Sequence, residues 1–332
     1  GIFSGTIPAQ SSGKLVAFYV SASGSDLDSP VSLYPAGAPS HECLARVGES
    51  ANTNQFGTYR LWLAQSTVDR WSRREVTSND PLDVTFVYED CRVIHGAGAY
   101  YAGSKYNPNY DSPTGRPCDY ALLFPEDDLL LGATDFRISW PGNLNSGADQ
   151  TLQAEQTCFK IVEDLGVPHN HRRHVNFFVN GLRRNALLED AQRPNGEFID
   201  QWFPEDNEGD LYKIQVHYEP SSDAATQFST VRRAGLAQVP LPEGANKPSY
   251  YRWNWPKRAV KTTANDYRAL FQLIDTANLA ETNGYAVKMD ALIDVDEWMR
   301  IIAAEHFVGN WDSFGYSDGS NMYFYASSGI FR

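Results

Sequence analysis

The hydrophobic pattern changes character about halfway along the chain. Up to about residue 140, apolar and polar positions alternate over short stretches bounded by glycine, proline and asparagine, as half-buried strands require. Residues 15–20, 56–63, 83–88 and 120–124 read as strands, rich in β-branched and aromatic side chains. Residues 149–165 read as a helix. Leu152, Cys158, Phe159, Val162 and Leu165 fall roughly on one face, and Gly166 with Pro168 ends it. The run from His174 to Gly181 reads as a strand entering Asn180-Gly181, a strong hairpin signal, with Leu187-Leu188-Glu189-Asp190 as the return. Residues 191–258 form an insertion rich in Pro, Asp, Glu and Trp, with a short strand at 211–214. Residues 266–277 return to helical spacing, with Tyr267, Leu270, Phe271 and Ile274 on one face. Asp294 caps a second helix with Glu297 at the capping-box position, followed by Trp298, Ile301, Ile302, Glu305 and His306. A strand-like run, Asn321-Met322-Tyr323-Phe324-Tyr325, comes last. The fold class this implies is α+β, with a β-rich N-terminal half and a helical C-terminal half.

Composition narrows the partners. In 332 residues, 42% are hydrophobic and 13% aromatic, ample for a packed core, so the acidic charge alone does not mean disorder. A net charge of −13 argues against nucleic acid and anionic membranes, which select basic patches. No stretch is apolar for long enough to span a bilayer. The four cysteines, Cys43, Cys91, Cys118 and Cys158, lack CxxC spacing, so a zinc or dithiol motif is not expected. Their even number is compatible with a Cys91–Cys118 bridge, while their low density does not require one. The chain opens on Gly1 and stops at Arg332 just past a strand, so both ends are expected to be cuts through something longer.

Candidate chemistry is sparse. Gly96-Ala97-Gly98-Ala99 reads as a glycine-rich loop, which could cradle phosphate on open N–H groups, though a turn or β-bulge fits the same spacing better. His169, His171 and His174 beside Arg172 and Arg173 could bind metal, but a solvated turn entering the strand suits them better. Tyr250-Tyr251-Arg252-Trp253-Asn254-Trp255 could expose aromatic rings to carbohydrate or a partner, and packing of an irregular segment is the simpler account. Asp312 leaves a helix in Gly309-Asn310-Trp311-Asp312, and Asn321 begins the next strand. In phosphoryl transfer an Asp orients the attacking hydroxyl and an Asn holds a metal bridging the phosphates. Taken alone, such a pair also makes ordinary turns.

That helix, loop and strand resemble the corresponding part of the CotH kinase family, atypical kinase-like proteins. Three further segments fit in order: Thr151–Gln156 resembles the family's αC-like helix, Val175–Gly181 with Leu187-Leu188-Glu189 its strand-turn and hinge strand, and Gly209-Asp210-Leu211-Tyr212-Lys213 its NLYK segment. The resemblance runs from about residue 57 to the end and implies a kinase-like fold with ATP and Mg²⁺ as ligands. It would make Asp312 the catalytic-loop Asp, Asn321 and Asp312 the metal residues, and Glu155 the helix carboxylate that pairs with a phosphate-binding lysine. Glu189 would lie at the hinge near adenine, with Lys213, Gly96 and Gly98 as further cofactor-side residues. Two places depart from the family pattern. Arg116-Pro117-Cys118-Asp119-Tyr120-Ala121 has no lysine where a basic strand is usual, and the family's second metal-binding Asp would fall beyond Arg332. Residues 1–50 read either as the last strands of a fibronectin-type-III-like β-sandwich or as a β extension of a domain covering 51–332. The resemblance implies a secreted or cell-surface enzyme acting on a protein substrate. The alternative is a catalytically degenerate module that contacts neighbouring modules of a long extracellular chain or self-assembles.

Overall fold

A computed structural model describes residues 4–25, 30–75, 78–103, 111–116, 118–141, 149–220, 228–239, 241–242, 244, 246–260, 263–315 and 319–332. The chain forms two compact units, 1–156 with 171–192, and 157–170 with 193–332. The architecture is mixed α and β. Among the described residues no helix is long and apolar enough to cross a membrane.

The first unit opens with two ribbons. Strand β1 (Leu15–Phe18) pairs with β4 (Cys43–Arg46), and β2 (Val20–Ala22) with β3 (Ser32–Tyr34). A closed barrel of seven strands follows: β5 (Gly57–Trp62), β6 (Leu82–Tyr88), β7 (Arg92–Ala102), β8 (Asp119–Leu123), β9 (Asp135–Ser139), β12 (Leu188–Gln192) and β10 (Arg172–Val179). Each neighbouring pair is antiparallel except the last. There β10 lies parallel to β5, Val175 opposite Gly57 through Val179 opposite Leu61, and shuts the ring. The short strand β11 (Leu182–Arg183) hangs on β10. Asn180 and Gly181 both adopt positive φ, 49° and 81°, as a two-residue hairpin turn demands. Asn180 also pins the end of β5, accepting from the Leu63 N–H and donating to its carbonyl, each at 2.9 Å.

Alternation fills the barrel. Tyr59, Leu61, Phe86, Ile94, Tyr120, Leu122, Phe136, Ile138, Val175 and Phe177 are buried in one cluster. Burying each such side chain contributes about 1.5–3 kcal/mol. Helix α1 (Gln65–Arg73) adds Trp71, fully buried edge-on to Tyr101. The β1–β4 ribbon packs on the barrel through Leu44, Trp62 and Val87. It is tied there by Glu49, which meets Arg46 at 3.0 Å, Arg60 at 2.9 Å and the indole N–H of Trp62 at 3.1 Å.

The glycine-rich segment is a strand and not a loop. Gly96 lies in β7 at φ 69°, where the β6–β7 register shifts between Val84 and Phe86, so it serves a β-bulge. Gly98 pairs with Asp83 and Leu123, and a Cβ there would come within 2.7 Å of Pro81 Cβ. Both glycines answer to the sheet, Gly96 as the β-bulge that its spacing suggests. No disulfide forms: Cys91 is exposed and free, and Cys118 is buried and free, its thiol pushed up to about 12 by burial.

Helix α2 (Ala154–Asp164) begins in the first unit and ends in the second. The second unit continues with α3 (Gly196–Trp202), β13 (Asp210–Lys213), the hairpin β14 (His217–Pro220) and β15 (Phe228–Arg232), α4 (Pro248–Tyr251) and β16 (Lys257–Ala259). Then come α5 (Arg268–Ala277), α6 (Tyr285–Asp290), α7 (Val295–Phe307), β17 (Tyr323–Ser327) and β18 (Ile330–Phe331). A four-stranded sheet in the order β16-β13-β17-β18 runs through this unit, so the C-terminal half is less purely helical than its pattern suggests. Tyr212, Tyr251, Trp255, Leu270, Ile274, Phe324 and Phe331 form its core. The aromatic run at 250–255 therefore mostly packs inward, and Trp253, 60% exposed and stacked on His217, is its outward member.

Gly209 precedes β13 where no side chain fits. A Cβ would lie 2.3 Å from the Ala326 carbonyl oxygen and 2.7 Å from Ser327 Cβ. Gly209→Ala should therefore cost about 1–3 kcal/mol through overpacking, seen as a lower denaturation midpoint. A neutral result would mean that β17 yields freely at Ala326.

Candidate functional site

The helix-loop-strand of the second unit builds its loop from short polar contacts. The Asp294 side chain accepts from the Glu297 N–H at 3.0 Å and starts α7. The Asp294 N–H instead donates to the Phe331 carbonyl, so the reciprocal half of the capping box is taken up by β18. At the far end Gly309 turns the chain at φ 72°. The Asn310 amide donates to the Glu305 carboxylate, and its carbonyl oxygen accepts from the Asp312 N–H at 3.2 Å.

Asp312 is held from the strand side. Ser320 Oγ donates to its Oδ1 at 2.8 Å, and Asn321 Nδ2 donates to its Oδ2. Both carboxylate oxygens thus accept a hydrogen bond, which fixes the plane of the group. Asn321 adopts φ 60°, a left-handed conformation that asparagine tolerates better than most residues. The sequence-expected pair, nine residues apart, is therefore a contact pair, with Ser320 as a third member that sequence reading missed.

Asn321 also lines a cavity of about 170 Å³ inside this unit, walled by Phe159, Val162, Trp298, Ile301 and Phe324. Glu297 and Glu305, two turns apart on α7, reach the same space. Burial raises the pKa of both, reinforced at Glu297 by Asp294 and opposed at Glu305 by the Asn310 amide. A carboxyl with a raised folded pKa is fully accommodated below the ordinary glutamate range, and that contribution is lost as pH climbs through the folded value. Glu297→Gln should therefore melt like the native protein at low pH and increasingly above it toward neutrality. Melting curves across pH check this, and a difference independent of pH would reject it.

The other expected residues belong elsewhere. Lys213 ends β13 opposite Tyr323, in the same unit as Asp312. Glu155, Glu189, Gly96 and Gly98 lie in the first unit. Glu189 is fully buried in β12, and its backbone is paired on both sides, with His174 and Ser139. The strand is central and the carboxylate is committed within the barrel. It accepts from Arg172 Nε at 3.0 Å, from an Arg172 terminal nitrogen at 2.6 Å and from Gln156 Nε2 at 2.7 Å. Arg172 also donates to Glu155. Burial raises the Glu155 pKa, and Arg172 opposes that rise.

Arg172 was missed because Arg172-Arg173-His174 looks like a solvated turn. The missed signal is period two: Arg172, His174 and Asn176 alternate with Val175, Phe177 and Val179, which enter the barrel core. His174 Nε2 donates to the Leu152 carbonyl at 2.9 Å, and His169 packs on Trp202 with ring centres 4.9 Å apart. Among the described residues no cluster of three or more His, Cys, Asp or Glu side chains could hold a metal.

The family model described as CotH kinase protein matches residues 143–332. The chain belongs to the CotH kinase family. The match starts later than the resemblance read from about residue 57. It covers Glu155, Glu189, Lys213, Asp312 and Asn321, while Gly96, Gly98 and the strand at 119–123 lie outside it. No curated protein matches the chain.

Proposed function

We propose that this CotH-family chain is a kinase-like enzyme that transfers the terminal phosphoryl group of ATP to a hydroxyl of a protein substrate at Asp312 and Asn321. The observation that carries the reading is the Asn321 amide holding the Asp312 carboxylate at the start of a strand. An acid that orients the incoming hydroxyl, next to an asparagine that serves a metal, is the pairing phosphoryl transfer uses.

The donor set suits Mg²⁺. The ion takes hard oxygens and is commonly held by one or two carboxylates plus substrate phosphates, without a complete protein cage. Asn321 donates through its nitrogen to Asp312, which points its amide oxygen away as a hard donor, and the Asp312 carboxylate lies beside it. Asn321 and Asp312 would hold Mg²⁺, which when bound would supply positive charge against the phosphates. Asp312 would accept the hydrogen bond of the substrate hydroxyl, aim its oxygen at phosphorus and take the proton. Ser320 keeps the carboxylate from rotating. A secreted or cell-surface setting belongs to the same proposal and is supported by the sequence resemblance.

A second reading, a structural module with degenerate catalysis, is favoured by β8, which reads Asp119-Tyr120-Ala121-Leu122-Leu123 and carries no lysine. Incubation with γ-labelled ATP and Mg²⁺ separates the two. The enzyme reading expects label on the chain or on an added acceptor protein, lost in Asp312→Ala. Absence of label under every metal tested favours the module.

A further inference from the structure

The Arg172 guanidinium and the Gln156 amide tie the first turn of α2 to the barrel. Arg172 projects from β10 and uses one terminal nitrogen to donate to Glu155 and to Glu189 Oε2, the latter at 2.6 Å, while its Nε donates to the same Glu189 oxygen at 3.0 Å. Gln156, the next residue of α2, donates to the other Glu189 oxygen at 2.7 Å. Two successive helix residues therefore converge on one carboxylate that is 0% exposed, while the Arg172 side chain is 12% exposed and that of Glu155 38%. Register explains the layout. Glu189 and His174 face one another across the β10–β12 ladder, and Arg172 faces Ala191, whose small side chain leaves room for the guanidinium to fold back over Glu189.

A kinase needs the carboxylate of this helix paired with a cation on the sheet. No lysine stands on β8 to provide it. A lysine on β10 would present one compact charge, whereas a guanidinium offers a fixed fork that can serve two carboxylates at once. We infer that Arg172 is a positioning residue for the reaction proposed above, taking the helix-pairing role of the absent lysine by locking Glu155 and the first turn of α2 onto Glu189. The inference rests on the kinase reading above, and it assigns the cation to β10. Arg172 acts through Glu155 and is not placed on the phosphates.

The test uses the whole chain, with Arg172→Gln, Arg172→Lys and Glu155→Gln. Hydrogen exchange at the amides of Cys158 to Lys160, which bond back to the first turn of α2, reports the clamp. Calorimetric titration with ATP and Mg²⁺ reports the nucleotide site. In Arg172→Gln, exchange there should speed up and the ATP Kd should rise, each at least about ten-fold, as expected for losing hydrogen bonds to a charged group. Arg172→Lys should recover only part of both, and Glu155→Gln should add nothing when combined with Arg172→Gln. Exchange and Kd within two-fold of the native protein in Arg172→Gln would overturn the inference. If Arg172→Gln fails to fold, Glu155→Gln decides, because it keeps the Arg172–Glu189 pair. Unchanged melting with a weakened ATP Kd supports the inference, and an unchanged Kd overturns it. Absence of ATP binding in the native chain would instead sink the kinase reading, and the exchange data alone would then decide whether Arg172 clamps α2.

Discussion

Asp312→Ala is expected to lower the rate of phosphoryl transfer by about 10²–10⁴-fold, the usual cost of removing a positioned acid–base group. The effect should fall on turnover and leave the fold alone. Asp312 is only part-buried and its partner Asn321 is exposed, so water can satisfy the donors of Ser320 and Asn321 once the carboxylate is gone. The companion variant at Asn321 needs care. Alanine at φ 60° would add backbone strain to the loss of the amide, whereas glycine keeps the turn and removes only the side chain. Asn321→Gly should weaken the response to Mg²⁺ by about 10–100-fold, the range seen when groups that support a metal are removed. Steady-state rates at several Mg²⁺ concentrations check both. Equal rates in native protein and Asp312→Ala would remove Asp312 from the chemistry.

Lys257→Met is expected to destabilise the second unit by about 3–5 kcal/mol, the cost of breaking a buried ion pair from one side. The Lys257 ammonium lies 2.7 Å from Asp210 Oδ2, with the two side chains 3% and 9% exposed. It donates to the Thr263 carbonyl at 2.9 Å and sits 5.5 Å from the ring centres of both Tyr212 and Tyr267. Methionine fills the same volume, so the loss is chiefly that of a charge whose partner stays behind. Urea denaturation followed by tryptophan fluorescence should show a lower midpoint. Pairing the change with Asp210→Asn should restore part of the loss, since no buried charge then remains alone. A loss below about 1 kcal/mol would mean that water reaches Asp210.

The parts of this fold that could be read from sequence are those governed by local rules. β5, β6 and β8 follow from alternation. The start of α7 follows from Asp294, whose side chain caps the helix. The β10–β11 hairpin follows from Asn180-Gly181, because few dipeptides accept two successive positive φ values. What stayed hidden depends on distant partners. Closure of the barrel joins Gly57–Leu61 to Val175–Val179, a pairing no local pattern encodes. The glycines of β7 suggest a bulge from their spacing, but the length of the strand and the close approach of Pro81 depend on its neighbours. The site divides in the same way. Asp312 and Asn321 gain meaning only through the family resemblance, since an Asp and an Asn in a loop are individually unremarkable turn residues. Ser320 and Arg172 act through atoms that meet only in the folded chain, and the ladder partners that place Glu189 mid-sheet are distant in sequence.

Asp312 and Asn321 are proposed above as a metal-dependent nucleotide site. Thermal melting of the native chain with ATP, with and without Mg²⁺, tests it most directly. Ligand at ten times its Kd stabilises the folded state by about 1.4 kcal/mol, enough to raise the melting temperature by a few degrees. That rise is expected only when ATP and Mg²⁺ are both present, and is expected to be lost in Asn321→Gly. No shift at millimolar ATP, or the same shift without Mg²⁺ and in Asn321→Gly, would contradict it.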